Sequence, residues 1–170
     1  MEIEIRINSR TDIPRLSQMT IKTNQFNVVT IRRTEDEISN LFDQADFLVY
    51  CFKLMDKYGD NGIVGYCEVK TKASQAELIN FLMSCRVIGR NAENEFLTRI
   101  LKDLKDHGKK TVTASWLKSP KNAICEHYYD NYGFTLIDGD QDHKIYQLQL
   151  DRIDLRPLDY FQVQWETKSL

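Results

Sequence analysis

Met83-Ser84-Cys85-Arg86-Val87-Ile88-Gly89-Arg90-Asn91-Ala92-Glu93 runs an apolar strand into a glycine-containing turn and then into a long amphipathic helix. Helix N-termini carry unpaired N–H groups and the positive end of the helix dipole, and a glycine lets the backbone approach a ligand closely. Arg86 and Arg90 flank Gly89, so the stretch reads as a phosphate site and a nucleotide-bearing ligand is the first expectation. A tight strand-to-helix connection is the plain alternative.

The second half of the chain strengthens the functional reading. Ser119-Pro120 supplies an N-cap and a first helical residue, and Gly133 a C′ residue, which predicts one helix between them. Asn122 and Tyr129 lie seven residues apart, two turns, and would share a face. The run Asn122-xx-Cys125-xx-Tyr128-Tyr129-xxx-Gly133-Phe134 resembles the N-xx-A-xx-[F/L]-Y-xxx-G-F helix of the GNAT acyltransferases, with Cys125 at the small-residue position. In that superfamily the turn corresponding to Gly89–Glu93 holds the acyl-CoA pyrophosphate, and the tyrosine corresponding to Tyr129 serves as general acid at the thioester sulfur. The usual turn, Q/R-x-x-G-x-G/A, is matched by Arg86-Val87-Ile88-Gly89-Arg90-Asn91, with Asn in the last small position. Asn tolerates the left-handed conformation that a turn of this kind needs.

The resemblance makes acetyl-CoA, another acyl-CoA or a phosphopantetheine thioester the expected cofactor. Its candidate binding residues are Cys85, Arg86, Val87, Gly89, Arg90, Asn91, Ala92, Asn122 and Cys125. A narrower resemblance covers nearly the whole chain. Thr20 to Asn27, Arg32-Arg33 before Thr34, Tyr58 to Gly62, Phe81 to Val87 and Lys121-Asn122-Ala123 are similar to the C-terminal region of FkbH-like proteins. There a phosphatase-like HAD domain precedes a GNAT-like domain in loading a glyceryl-type unit onto an acyl carrier protein. The D-x-D-x-T loop of such a phosphatase is not among these residues, so the resemblance implies an excised C-terminal domain or a stand-alone relative. An acyl carrier protein becomes a candidate partner.

At 170 residues with 42% hydrophobic and 11% aromatic content, the chain suits one globular domain with a substantial core. Neither a membrane-length apolar run nor a signal peptide is visible, and the expected location is cytoplasmic. Cys51, Cys67, Cys85 and Cys125 are widely spaced, which predicts free thiols and no metal site.

Along the chain, Ile3, Ile5 and Ile7 alternate as a first strand, and Asp12 with Pro14 opens a helix bearing Ile13, Leu16 and Met19. Thr34 and Glu37 form a capping box before Ile38, Leu41 and Phe42. Two strands between Asp46 and Lys72 are expected to meet at an Asp60-Asn61-Gly62 hairpin, and another strand to run from Glu77 to Val87. Ala92, Phe96, Leu97, Ile100, Leu101 and Leu104 mark a helix that stops at Gly108. Strands follow at Thr111–Leu117, Phe134–Ile137 and Ile145–Leu150. This order is that of a GNAT domain of the α+β class: a mixed, mostly antiparallel sheet of about seven strands flanked by about four helices. Residues 1–150 form that domain, and 151–170 a C-terminal tail packing on it.

Tyr129 and Glu68 are the catalytic candidates, Glu68 lying with Asn80 where GNAT enzymes keep a base, although it could equally face solvent. Asn24, Gln25 and Asn27 surround one phenylalanine, and with Asn80 they are candidates for substrate contact, loop capping being the rival. Cys85 reads either as a nucleophile or, more simply, as a buried inert thiol, and His127 as a surface residue. Residues Arg86 to Lys121 hold nine Lys/Arg against four Asp/Glu in a chain of net charge −2. That local excess suits an anionic ligand or an acidic carrier protein, with a solvated face as the alternative. At pI 5.9 and without an aromatic-interleaved basic stripe, nucleic acid is not an expected partner, nor is a membrane.

Overall fold

The computed structural model describes residues 1–166. Its sheet runs β7-β8-β6-β5-β4-β3-β1-β9, with a short β2 pairing β5, and is antiparallel except at β5–β6 and β1–β9. The strands are β1 (Glu2–Ile7), β2 (Phe26–Asn27), β3 (Phe47–Asp56), β4 (Gly59–Lys72), β5 (Gln75–Met83), β6 (Thr111–Leu117), β7 (Thr135–Gly139), β8 (His143–Gln149) and β9 (Gln162–Trp165). Four α-helices flank them: α1 (Ile13–Lys22), α2 (Glu35–Phe42), α3 (Ala92–Asp106) and α4 (Tyr128–Tyr132). The expected class holds, with nine strands in place of seven.

Alternation along the strands builds two cores. Val49 and Cys51 of β3 face Leu16, Met19, Ile38 and Leu41 of α1 and α2, whereas Tyr50, Phe52 and Leu54 join Phe96, Leu97 and Ile100 of α3 on the opposite face. Each fully buried side chain of this size stabilises the fold by about 1.5–3 kcal/mol. Gly65 of β4 is where the α3 face closes most tightly. A Cβ there would lie 1.9 Å from Phe52 Cε1, so the ring sits over the strand only because no side chain intervenes.

Thr34 and Glu37 close the anticipated capping box at the head of α2. Several expectations are corrected. The β3–β4 turn is Lys57-Tyr58, since Asp56 pairs with Gly59; Asp60-Asn61-Gly62 lies inside β4 at its irregular register. β5 ends at Met83, and Cys85–Val87 form a 3-10 turn. No single helix spans Ser119 to Gly133. A 3-10 turn, Ala123–Cys125, precedes α4. Asn122 and Tyr129 therefore belong to different elements. Beyond residue 150 the chain returns to place β9 beside β1, joining Glu2–Ile5 in parallel register.

Candidate active site

The central sheet opens where β5 and β6 part. They pair only from Gln75–Thr111 to Leu78–Ala114 and then diverge. The chain itself enters the gap. β2 pairs with Met83 and Leu82, Val28 donates its N–H to the Phe81 carbonyl at 3.1 Å, and Leu117 of β6 donates to the Val28 carbonyl at 2.8 Å. Residues 26–28 thus bridge the two strands as an extra strand. Asn122 fastens this bridge: fully buried, it donates to the carbonyls of Asn27 and Leu117, both at 2.9 Å, and accepts from the Ser119 N–H at 2.8 Å. These bonds also explain the missing helix start, because the Asn122 amide closes a non-helical turn over residues 119–122. Asn27 is a loop cap, taking the Thr30 N–H and donating to Thr23 O.

Five buried polar side-chain atoms lack partners among the described residues, Trp116 Nε1 and Glu93 Oε2 among them. Thr30 Oγ1 follows β2, Asn80 Oδ1 lies on the diverging part of β5, and Tyr129 Oη lies on α4; each is buried with no hydrogen-bond partner among the described residues. Burial pushes the Tyr129 phenol well above its ordinary range, with Cys67 the next contributor, and keeps its proton at physiological pH.

Glu68 is held by two neighbours. It is fully buried, with Oε1 accepting from Arg33 Nε at 2.9 Å and from the Tyr66 hydroxyl at 2.6 Å, and Oε2 from Arg33 Nη2 at 2.8 Å. Its solvent-facing alternative is excluded.

The turn ahead of α3 has the anticipated backbone. Asn91 is left-handed at φ 60° and Gly89 also has positive φ at 84°. No backbone acceptor among the described residues takes the N–H groups of Gly89, Arg90 or Ala92. A groove of about 520 Å³ opens beside this helix start, with Phe26, Ile88, Gly89, Glu93, Tyr128 and Arg156 in its walls. The two arginines expected to grip the phosphate are not gathered there. Arg90 pairs with Asp56, and Arg86 reaches the Asn61 carbonyl and lines a hollow on the α1 side of β2. Glu93, which the sequence did not single out, faces the groove instead. Its carboxyl is raised by burial, and its Oε2 has no partner among the described residues.

Asn24, Gln25, Cys85 and Arg86 line the α1-side hollow, whose volume is about 490 Å³. Cys85 is exposed, which corrects the buried-thiol reading, while Cys51, Cys67 and Cys125 are buried free thiols. Cys125 rests with its sulfur against the Asn122 and Gln25 carbonyls, and Val87 and Ala92 are core residues. His127 is a surface residue, its side chain 65% exposed. The amide-rich stretch Asn24–Asn27 carried no strand signal, and the basic hollow has contributions from three separated segments and no local signal.

No protein-family model matches the sequence, and no curated protein does. Solved structures do. A ribosomal-protein-S18-alanine N-acetyltransferase from Escherichia coli superposes with a TM-score of 0.67 at 14% identity, covering 87% of this chain and 94% of that one. A PaiA N-acetyltransferase from Thermoplasma acidophilum, in complex with coenzyme A, gives 0.67 at 19%, over 88% and 99%. YncA, an acetyltransferase of Salmonella typhimurium crystallised with its cofactor acetyl-CoA, gives 0.62 at 16%, over 89% and 95%. The fold is therefore that of the GNAT acetyltransferases. Tested against coenzyme A, the residues fit at the α3 turn, where free amides face the groove. At the gap, residues 26–28 lie between β5 and β6.

Proposed function

We propose that the chain is an acyltransferase domain of the GNAT type, binding a phosphopantetheine thioester presented by coenzyme A or by an acyl carrier protein. The observation that supports this most is the turn ahead of α3, where Gly89 and Asn91 have positive φ and no backbone acceptor among the described residues takes the amides of Gly89, Arg90 and Ala92. The α3 turn would hold the diphosphate on the amides of Gly89, Arg90 and Ala92. A bound thioester supplies an activated acyl carbon and a sulfur leaving group. Tyr129, protonated and without a competing acceptor, is the residue to hold a proton for that sulfur. No base is assigned, because both Glu68 oxygens are already taken by Arg33 and Tyr66.

Thermal unfolding with and without acetyl-CoA tests the proposal. Saturating acetyl-CoA should raise Tm, by the linkage of binding to the folded state. Asn91→Gly should keep the shift and Asn91→Val abolish it, because a β-branched residue resists positive φ. An unshifted Tm for wild type would contradict acyl-CoA use.

One observation favours a second reading. Because residues 26–28 bridge β5 and β6 with backbone hydrogen bonds, the domain would then be a non-catalytic GNAT-fold module. It would dock an acyl carrier protein or a HAD-type phosphatase, as the FkbH-like resemblance implies. Binding of a carrier protein without any binding of coenzyme A would select this reading.

A further inference from the structure

The hollow on the α1 side of β2 brings together four cations from distant parts of the chain. Arg15 and Lys22 come from α1, Arg86 from the 3-10 turn after β5, and Lys121 from the connection after β6. Met19 adds an apolar patch, and no carboxylate lines the space. None of the four has an acidic partner among the described residues, whereas the arginines elsewhere, Arg32 and Arg152 apart, do. Arg15 and Arg86 are held by backbone carbonyls: Arg15 Nη2 donates to Ile63 O at 3.1 Å and Arg86 Nη2 to Asn61 O at 3.3 Å. Two guanidinium groups are thereby anchored side by side with nothing to neutralise them. Burial, and then the Arg86 charge, lowers the Arg15 pKa, the direction expected of crowded cations lacking a counter-ion.

We propose that this hollow is a binding site for a phosphate monoester, whose dianionic head would sit between Arg15, Arg86, Lys22 and Lys121. A dianion matches several converging cations better than a single carboxylate does, and guanidinium forks suit its oxygens. The volume of about 490 Å³ exceeds what a bare phosphate fills and leaves room beside the head for an organic group. The inference stands whether or not the domain transfers acyl groups.

Cys85 makes the site readable. It lines the hollow and is the one exposed cysteine among the described residues, so alkylation by neutral iodoacetamide, followed by peptide mapping at constant ionic strength, reports occupancy. Phenyl phosphate should slow Cys85 alkylation at least fivefold, and inorganic phosphate should do so only at higher concentration. Phenol and benzoate should leave the rate unchanged. Lys22→Gln with Lys121→Gln, two surface changes compatible with folding, should weaken the protection. Lys102→Gln with Lys105→Gln, the same charge change on α3, should not. Protection by benzoate equal to that by phenyl phosphate, equal loss in both double variants, or no protection at all would overturn the proposal.

Discussion

The two halves of the β5–β6 junction are built from different materials. Where the strands are zipped, Ala76, Leu78, Val112 and Ala114 are buried and apolar, and the backbone ladder is complete. Where they part, the buried residues include Asn27, Asn80 and Asn122, and the ladder is replaced by a strand borrowed from residues 26–28. Apolar alternation specifies the first half locally; the second depends on amides and on an Arg33–Glu68 pair that bridge distant parts of the chain. The parted half should therefore be the more fragile, and also the half where function resides.

The largest expected effect is on the pair that lies beneath this half. Glu68→Gln leaves a partly exposed Arg33 facing a neutral amide at a buried position, and chemical denaturation should show a loss of about 3 kcal/mol or slightly more, the low end for a buried pair. A loss below about 1 kcal/mol would mean that the pair is far more hydrated than its burial implies. Next is Asn122→Ala, which frees the carbonyls of Asn27 and Leu117 and the Ser119 N–H. At about 1–3 kcal/mol for each buried group left unpaired, a loss of about 3 kcal/mol is expected. In the zipped half, Leu78→Val should cost only about 1 kcal/mol. If that conservative change costs as much as Asn122→Ala, the contrast between the halves is wrong.

Much of the zipped half was legible in the sequence. The alternation of β1, the Thr34–Glu37 box and the spacing of Phe96, Ile100 and Leu104 are local patterns with local causes. β2 was not legible, because two residues in an amide-rich stretch have no periodicity and form a strand only through partners on β5 and β6. The helix expected from Ser119 failed for a related reason. Local capping preference is overridden where the Asn122 side chain captures the Leu117 carbonyl and the Ser119 N–H upstream of it. Of the candidate site, the Asn91 turn was readable from the tolerance of Asn for positive φ. The dispersal of Arg86 and Arg90 was not, since their carbonyl and carboxylate partners come from β4 and β3.

Tyr129→Phe sharpens the comparison on the functional side. Removing a buried hydroxyl that has no partner should leave Tm within a few degrees, while an acyl-transfer assay should lose a factor on the order of 10²–10⁴. Unchanged turnover would remove Tyr129 from catalysis. A smaller effect is expected at Glu93. Its carboxyl is raised above about 4.5 by burial, so the folded state holds the proton more tightly than the unfolded one. The associated stability is complete below the ordinary carboxyl range and is lost as pH rises through the raised value. Glu93→Gln should remove that decline, and by relieving repulsion at the α3 turn it should also strengthen coenzyme A binding. A variant whose stability profile matches wild type between pH 4 and 8 would show that Glu93 is not the group responsible.

Amide hydrogen exchange at the parted strands tests the central claim most directly. In the free protein the Val28 and Leu117 amides, bonded to Phe81 O and Val28 O, should exchange slowly. Saturating acetyl-CoA should speed exchange at both as residues 26–28 leave the gap, and should slow it at Gly89, Arg90 and Ala92 as the turn is covered. Slow exchange at Val28 and Leu117 that persists with acetyl-CoA bound would contradict the account.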